Sequence, residues 1–200
     1  MDAQTCILTR RSVRKFTDES VSRELLEKVV ALAAYAPSWK NTQISRYLAI
    51  EDPAVQNTIA EEYCLTGANN PSIIKGAPLL VAQTFVKDRC GYNRDGTFTT
   101  DREDGWQYYD CGIAAQTFCL AAHDLGLGTV IMGVFDRKRL QAYLEIPQDQ
   151  ELMALIAVGH PAEVGPAPKR KDVDVLLPWR KTDKKIPAPR CRDFLCSVAV

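Results

Sequence analysis

The stretch "DCGIAAQTFCLAAHDLGLGTVIMGVF", Asp110 to Phe135, joins a long apolar helix directly to a short apolar strand. Asp110 suits an N-cap, because a carboxylate there accepts from amides that the first turn leaves without partners. The interior is rich in Ala and Leu, and Gly126 or Gly128 ends the helix by taking up a left-handed conformation that other residues avoid. "TVIMGVF" then reads as a strand. Little charge interrupts residues 110–125, so the helix is expected to be buried on more than one side. A core helix within one chain and a helix at an oligomer interface satisfy that pattern equally.

Outward from this unit, "SVSRELLEKVVALAAYAP" is the clearest helix. Ser20 or Ser22 can cap it, and Leu25, Leu26, Val29, Val30, Leu32 and Ala33 fall on one face at helical spacing. Pro37 forbids continuation. A first helix is expected over Asp2 to Leu8, and "RYLAI" (Arg46–Ile50) as a short strand. Asp52 and Pro53 open another helix, "DPAVQNTIAEEY". "APLLVAQTFV" (Ala77–Val86) and "LMALIAVG" are near-continuous apolar runs, suited to strands buried on both faces. "DRKRLQAYL" between the last two strands is helical. Lys87 to Gln107 is polar and non-periodic, a surface excursion or lid. The Pro- and Lys/Arg-rich end reads as an arm leaving the core. Together these elements imply an α+β or three-layer α/β fold, with strand order unread.

The chain has 200 residues, 46% of them hydrophobic, enough for one large domain. Its 25 basic and 25 acidic residues cancel, which excludes an overall basic field of the kind that holds nucleic acid or an anionic membrane. No run of about 18 apolar residues is present, and the first residues lack a signal-peptide core. A soluble cytoplasmic protein is expected. The seven cysteines, Cys6, Cys64, Cys90, Cys111, Cys119, Cys191 and Cys196, form no C-x-x-C pair and are read as reduced and mostly structural. His123 and His160 have no metal-ligand spacing.

Against that neutral background "RRSVRKF" (Arg10–Phe16) stands out. Charge runs are most often solvated faces. Here Ser12 adds a hydroxyl among guanidinium forks that match phosphate oxygens bidentately, and a second basic knot, Lys169-Arg170-Lys171, follows the last buried strand. "APSWKNTQ" (Ala36–Gln43) carries amides able to meet the amide edge of a planar heterocycle. An ordinary helix-ending loop is the plainer reading, and chemistry alone favours it. Gly133 inside a strand marks either a close approach to the main chain or, more commonly, a β-bulge. Neither a G-x-G-x-x-G nor a P-loop motif is present.

In order along the chain, R-R-S-V-R-K-F, A-P-S-x-x-N-x-Q, D-x-G-x-A-x-Q-x-x-x-L-A-A-x-x-L-G-L-G-T, V-I-M-G, A-L-I-A-V-G-H-P and K-R-K resemble the FMN-dependent nitroreductase superfamily over Thr9 to Leu177. The resemblance implies a three-layer α/β/α sandwich with a central, mostly antiparallel sheet and a C-terminal arm. Residues 1–177 would form the FMN-binding domain and 178–200 an extension. It implies that Arg10, Arg11, Ser12 and Arg14 hold the FMN phosphate, ribityl chain and pyrimidine edge, with Lys169 and Arg170 closing on the phosphate. Pro37, Ser38 and Asn41 would contact the flavin, some of them across a homodimer interface. Ile131, Met132 and Gly133 would line the isoalloxazine ring. Two departures, Lys40 where a small residue is common and Ile44-Ser45-Arg46 after Gln43 where Pro-Trp is frequent, bear on the substrate side more than on the cofactor.

The function so implied is hydride transfer from NAD(P)H through FMN to an electron-poor small molecule such as a nitroaromatic or quinone, in a ping-pong cycle with no catalytic side chain assigned. Two other readings stay open. One is a specialised flavin enzyme, a reductive dehalogenase or a flavin-fragmenting enzyme. The other is a flavin-binding or sensing protein without NAD(P)H turnover.

Overall fold

A computed structural model of the chain describes residues 1–65 and 69–179. Its elements are α1 (Ala3–Thr9), β1 (Lys15–Phe16), α2 (Arg23–Ala33), β2 (Ser45–Ile50), α3 (Pro53–Thr58), α4 (Asn70–Lys75), β3 (Leu79–Val86), α5 (Gly105–Asp124), β4 (Gly128–Met132), α6 (Arg137–Tyr143), β5 (Gln150–Gly159), β6 (Pro161–Glu163) and α7 (Val173–Leu176). Four strands form one sheet in the order β2–β3–β5–β4, and every neighbouring pair is antiparallel. The apolar runs fall on β3 and β5, the two central strands. Because side chains alternate across a strand, β3 feeds two cores. Leu79 and Val81 pack with Val29 and Ala33 of α2 and Phe118 and Ala122 of α5. Leu80 and Ala82 pack with Ile73 and Ile74 of α4 and Leu140 of α6, on the opposite face. The result is the expected α+β sandwich, helices on both sides of an antiparallel sheet.

Local chemistry accounts for the helix ends. Ser22 accepts the Leu25 N–H at the start of α2. Asp52 accepts the Ala54 N–H at the start of α3, with Pro53 in the first turn. At the end of α5, Gly126 takes φ +83°, the Gly126 N–H reaches the His123 carbonyl and the Leu127 N–H reaches that of Ala122. Those two bonds satisfy carbonyls that the last turn leaves free.

Two expectations need correction. Asp110 does not cap α5, which begins at Gly105 with Asp104 in the cap position. The added turn forms because Gln107 is buried and Trp106 packs against Trp39, with ring centroids 4.8 Å apart. Leu32, assigned to the buried face of α2, is 46% exposed. The segment after β3 is largely exposed, as expected of a surface excursion, and carries its own bonds, Thr99 N–H to Gly91 carbonyl (2.8 Å) and Asn93 N–H to Thr97 carbonyl (2.8 Å), while Cys90 within it is fully buried. Helix α4 and the small β1–β6 sheet were not anticipated.

Two compact units divide the chain, the first ending at Pro166 and the second starting at Ala167. The described part of the second holds only α7 and exposed chain. The expected extension over 178–200, apart from Pro178 and Trp179, lies outside the described residues, as do Cys191 and Cys196. Among the described residues Cys6, Cys64, Cys90, Cys111 and Cys119 are free thiols, and no helix is long and apolar enough to cross a membrane.

Candidate functional site

The basic segment is laid along the outer edge of β4. The Val13 N–H donates to the Thr129 carbonyl at 2.9 Å, and Ser12 bridges Thr129 in parallel register. This approach requires a glycine at 128, since a Cβ there would sit 2.7 Å from the Val13 side chain. Arg10, Arg11, Ser12 and Arg14 are thereby fixed on the strand that carries Ile131 and Met132 and runs on into Gly133. Met132 is buried, whereas Ile131 is 46% exposed and Gly133 has open space above its Cα.

The charge at this edge is uncompensated. Arg11 donates to the Leu8 and Arg10 carbonyls (2.7 Å each), and Arg14 to that of Ser12 (3.2 Å). Among the described residues none of the three arginines has a carboxylate partner, although the adjacent Lys15 pairs with Glu163 at 2.6 Å. Arg10 Nε is buried without a hydrogen-bond partner. An unmet buried donor costs about 1–3 kcal/mol, which an anionic oxygen at this position offsets. His123, whose Nε2 meets Thr9 Oγ1 at 2.8 Å, responds to the same field. Burial, and after it the positive charges of Arg10 and Arg11, push its imidazole below the ordinary value. The donor set and the exposed apolar edge beside it fit a phosphate joined to a planar ring.

Pro37, Ser38 and Asn41 lie elsewhere, in the loop that leads into β2. This loop is strained and densely tied. Lys40, Asn41 and Gln43 have φ of 46°, 57° and 47°, a conformation costing a non-glycine residue about 1–2 kcal/mol. Ser38 Oγ accepts the Gln43 N–H at 3.0 Å, the Asn41 N–H reaches the Ser38 carbonyl at 3.0 Å, and Gln43 Nε2 donates to Asn41 Oδ1 at 3.1 Å. The Trp39 N–H donates to Asp110 Oδ2 at 2.9 Å. The left-handed φ at 40 explains why a small residue suits that position.

Between α2 and β2 a cavity of about 800 Å³ opens beside this loop, lined by Leu26, Val30, Pro37, Ser38, Tyr47 and Ala114 among others. None of the arginines of the basic segment lines it. Tyr47 stacks on Phe118 with centroids 5.2 Å apart, its hydroxyl is buried without a partner, and burial pushes the phenol well above its ordinary value.

The expected residues therefore divide into two groups within one chain. β4 and β2 are opposite edges of a four-stranded sheet, three strand spacings or about 14 Å apart. Lys169 and Arg170 belong to the second unit and are exposed. Sequence reasoning missed Asp110 as an internal acceptor, together with Cys90, Trp39 and Trp106 around it. The available signal was Trp106 and Gln107 at helical spacing ahead of Asp110, which extends the helical pattern upstream.

Other proteins resemble this chain in sequence or in fold. A protein from Thermus thermophilus described as an NADH dehydrogenase is 29% identical over 90% of this chain and 97% of its own. An NADH dehydrogenase/NAD(P)H nitroreductase from Methanothermobacter thermautotrophicus is 30% identical over 82% of this chain and 79% of its own. A protein from Desulfovibrio desulfuricans, described as a nitroreductase and crystallised with FMN, superposes with a TM-score of 0.70 at 28% identity, covering 94% of this chain and 99% of its own. A sequence model of the Nitroreductase family matches residues 7–160, a span running from the basic segment through the last strand of the central sheet. By that match, and by the sandwich described above, the chain belongs to the Nitroreductase family.

Proposed function

We propose that the protein is an NAD(P)H-dependent FMN oxidoreductase acting as a homodimer on an electron-poor small molecule such as a nitroaromatic or quinone. The observation that carries this reading is the set of three arginines without carboxylate partners among the described residues, one with an unmet buried Nε, beside the exposed Ile131–Gly133 edge. When bound, FMN supplies the redox chemistry, accepting hydride from NAD(P)H and passing electrons to the acceptor in a ping-pong cycle.

The chain's own residues bind and orient. Guanidinium forks of Arg10 and Arg14 hold phosphate oxygens bidentately, with Arg11 and Ser12 beside them. The cationic edge also favours negative charge on the ring system, as fixed donors do wherever charge develops. Ile131, Met132 and Gly133 offer an apolar edge and main-chain amides to the ring. Pro37, Ser38 and Asn41 come from the second chain, which the separation of the two sheet edges supports. Helix α5 supports the dimer as well, since its exposed Tyr109, Gly112 and Gln116 form an uncharged stripe.

The test is a visible spectrum of the purified protein followed by anaerobic addition of NADH and NADPH. A flavin spectrum that bleaches with either nucleotide, and recovers on adding a quinone, is the expected result. Persistent yellow colour with both nucleotides overturns the turnover reading in favour of a sensing protein. Absence of flavin, and of FMN binding on reconstitution, overturns the cofactor as well.

A further inference from the structure

Asp110 is buried at 4% exposure inside α5, against a small core of Ile44, Phe85, Cys90 and Cys111 flanked by Trp39 and Trp106. A carboxylate in such surroundings needs donors, and it has two on a single oxygen. Oδ2 accepts the Trp39 N–H at 2.9 Å and the Cys90 Sγ–H at 2.9 Å. The first donor belongs to the loop with Pro37, Ser38 and Asn41. The second belongs to the excursion after β3. We propose, resting on the function proposed above, that Asp110 is the positioning residue of the cofactor loop, and that Cys90 fixes the carboxylate in the orientation that does so.

Three features converge on this role. The loop holds positive φ at Lys40, Asn41 and Gln43, and such backbone persists only where the surroundings over-determine it. The other hydrogen bonds of its own side chains are internal, Ser38 to Gln43 and Gln43 to Asn41, so they shape the loop without placing it, and the Trp39–Trp106 contact adds packing without direction. Asp110 ties it to a long helix packed on the sheet. Burial, reinforced by the adjoining carboxylate, pushes the Cys90 thiol well above its ordinary value, so it stays a donor. The excursion is itself braced on α5, where the Asp88 N–H donates to Gln107 Oε1 at 2.7 Å.

Asp110→Ala and Asp110→Asn distinguish positioning from bulk stability. Loss of both bonds, the one to the loop included, makes FMN bind about tenfold or more weakly in Asp110→Ala. At saturating FMN the variant's flavin band and midpoint potential differ from wild type. Asp110→Asn keeps an acceptor oxygen in place and stays within about threefold of wild type. Ile73→Ala, in the core on the opposite face of the sheet, lowers the melting temperature without moving affinity, band or potential. In the wild-type protein without FMN, the Trp39 amide exchanges with solvent at least about tenfold more slowly than that of Lys40. This measurement stands if Asp110→Ala does not fold. Wild-type FMN affinity, band and potential in Asp110→Ala, or equal exchange at Trp39 and Lys40, overturn the positioning role alone. A wild-type protein that binds no FMN overturns this role and the proposed function together.

Discussion

The two edges of the sheet hold their residues by opposite means. At the β4 edge, three arginines have no carboxylate partner among the described residues, and one guanidinium nitrogen is buried unmet there. At the β2 edge, a buried carboxylate oxygen accepts two bonds and three residues are locked at positive φ. The first edge has charge and lacks a counterion, so a ligand completes it. The second has its shape already and gains little from charge. Under the proposed function, an anion would owe its affinity to the β4 edge, while the β2 edge would contribute fit to a rigid, mostly apolar body.

Substitutions can break this contrast, and the largest effect belongs to the charged edge. Arg10→Ala and Arg14→Ala fold normally but bind FMN about 10- to 100-fold more weakly, each losing a charge-assisted bond worth roughly 1.5–3 kcal/mol. Fluorescence titration measures this, and the variants purify largely colourless. Lys15→Ala, in the same segment but already paired with Glu163, changes affinity less than about twofold. Equal losses at 14 and 15 refute the claim that unpaired charge is what matters.

Gly128→Ala attacks the backbone of the same edge. Its Cβ meets Val13 at 2.7 Å, so the segment shifts or the strand strains, at about 1–3 kcal/mol. Thermal unfolding and FMN titration both register the change. On the β2 side, Lys40→Gly relieves a left-handed residue and raises stability by about 1 kcal/mol, or roughly 2–4 °C in Tm. An unchanged or lower Tm shows that the loop is not strained at that position.

The smallest effect concerns pH. His123 has a lowered folded-state value, so the unfolded chain binds its proton more readily. Its contribution to stability is intact above the ordinary imidazole value of 6.5 and is lost as pH falls through the lower folded value. His123→Gln flattens the decline in Tm as pH falls from 6.5 toward that lower value. FMN saturation has the same direction of effect, because the bound phosphate screens Arg10 and Arg11. A steeper decline in the variant contradicts the sign.

The sequence makes the layers legible and the edges less so. β3 and β5 are readable because double-sided burial leaves runs such as Leu79–Val86 almost wholly apolar. α2 is readable because Ser22, its apolar face and Pro37 agree. The start of α5 is hidden, since Trp106 and Gln107 look polar or bulky until Trp39 and Asp88 arrive from other segments to partner them. β1 and β6 have two and three residues, too few to show a period. The basic segment announces its chemistry through composition alone. Its position beside β4 depends on Gly128 accepting Val13, a contact between distant residues that spacing does not encode. The split of the candidate residues between opposite edges follows from strand order, which local sequence does not carry.

That split makes the central claim testable in one experiment. Co-express an Arg10→Ala/Arg14→Ala chain with a Ser38→Ala/Asn41→Ala chain, each with its own affinity tag, and measure FMN per chain in the pooled protein. If each site combines the β4 edge of one chain with the loop of the other, mixed dimers hold one intact site, and FMN reaches about one quarter of the wild-type content under random pairing. FMN no higher than the average of the two variants alone contradicts a shared site and returns both groups of residues to a single chain.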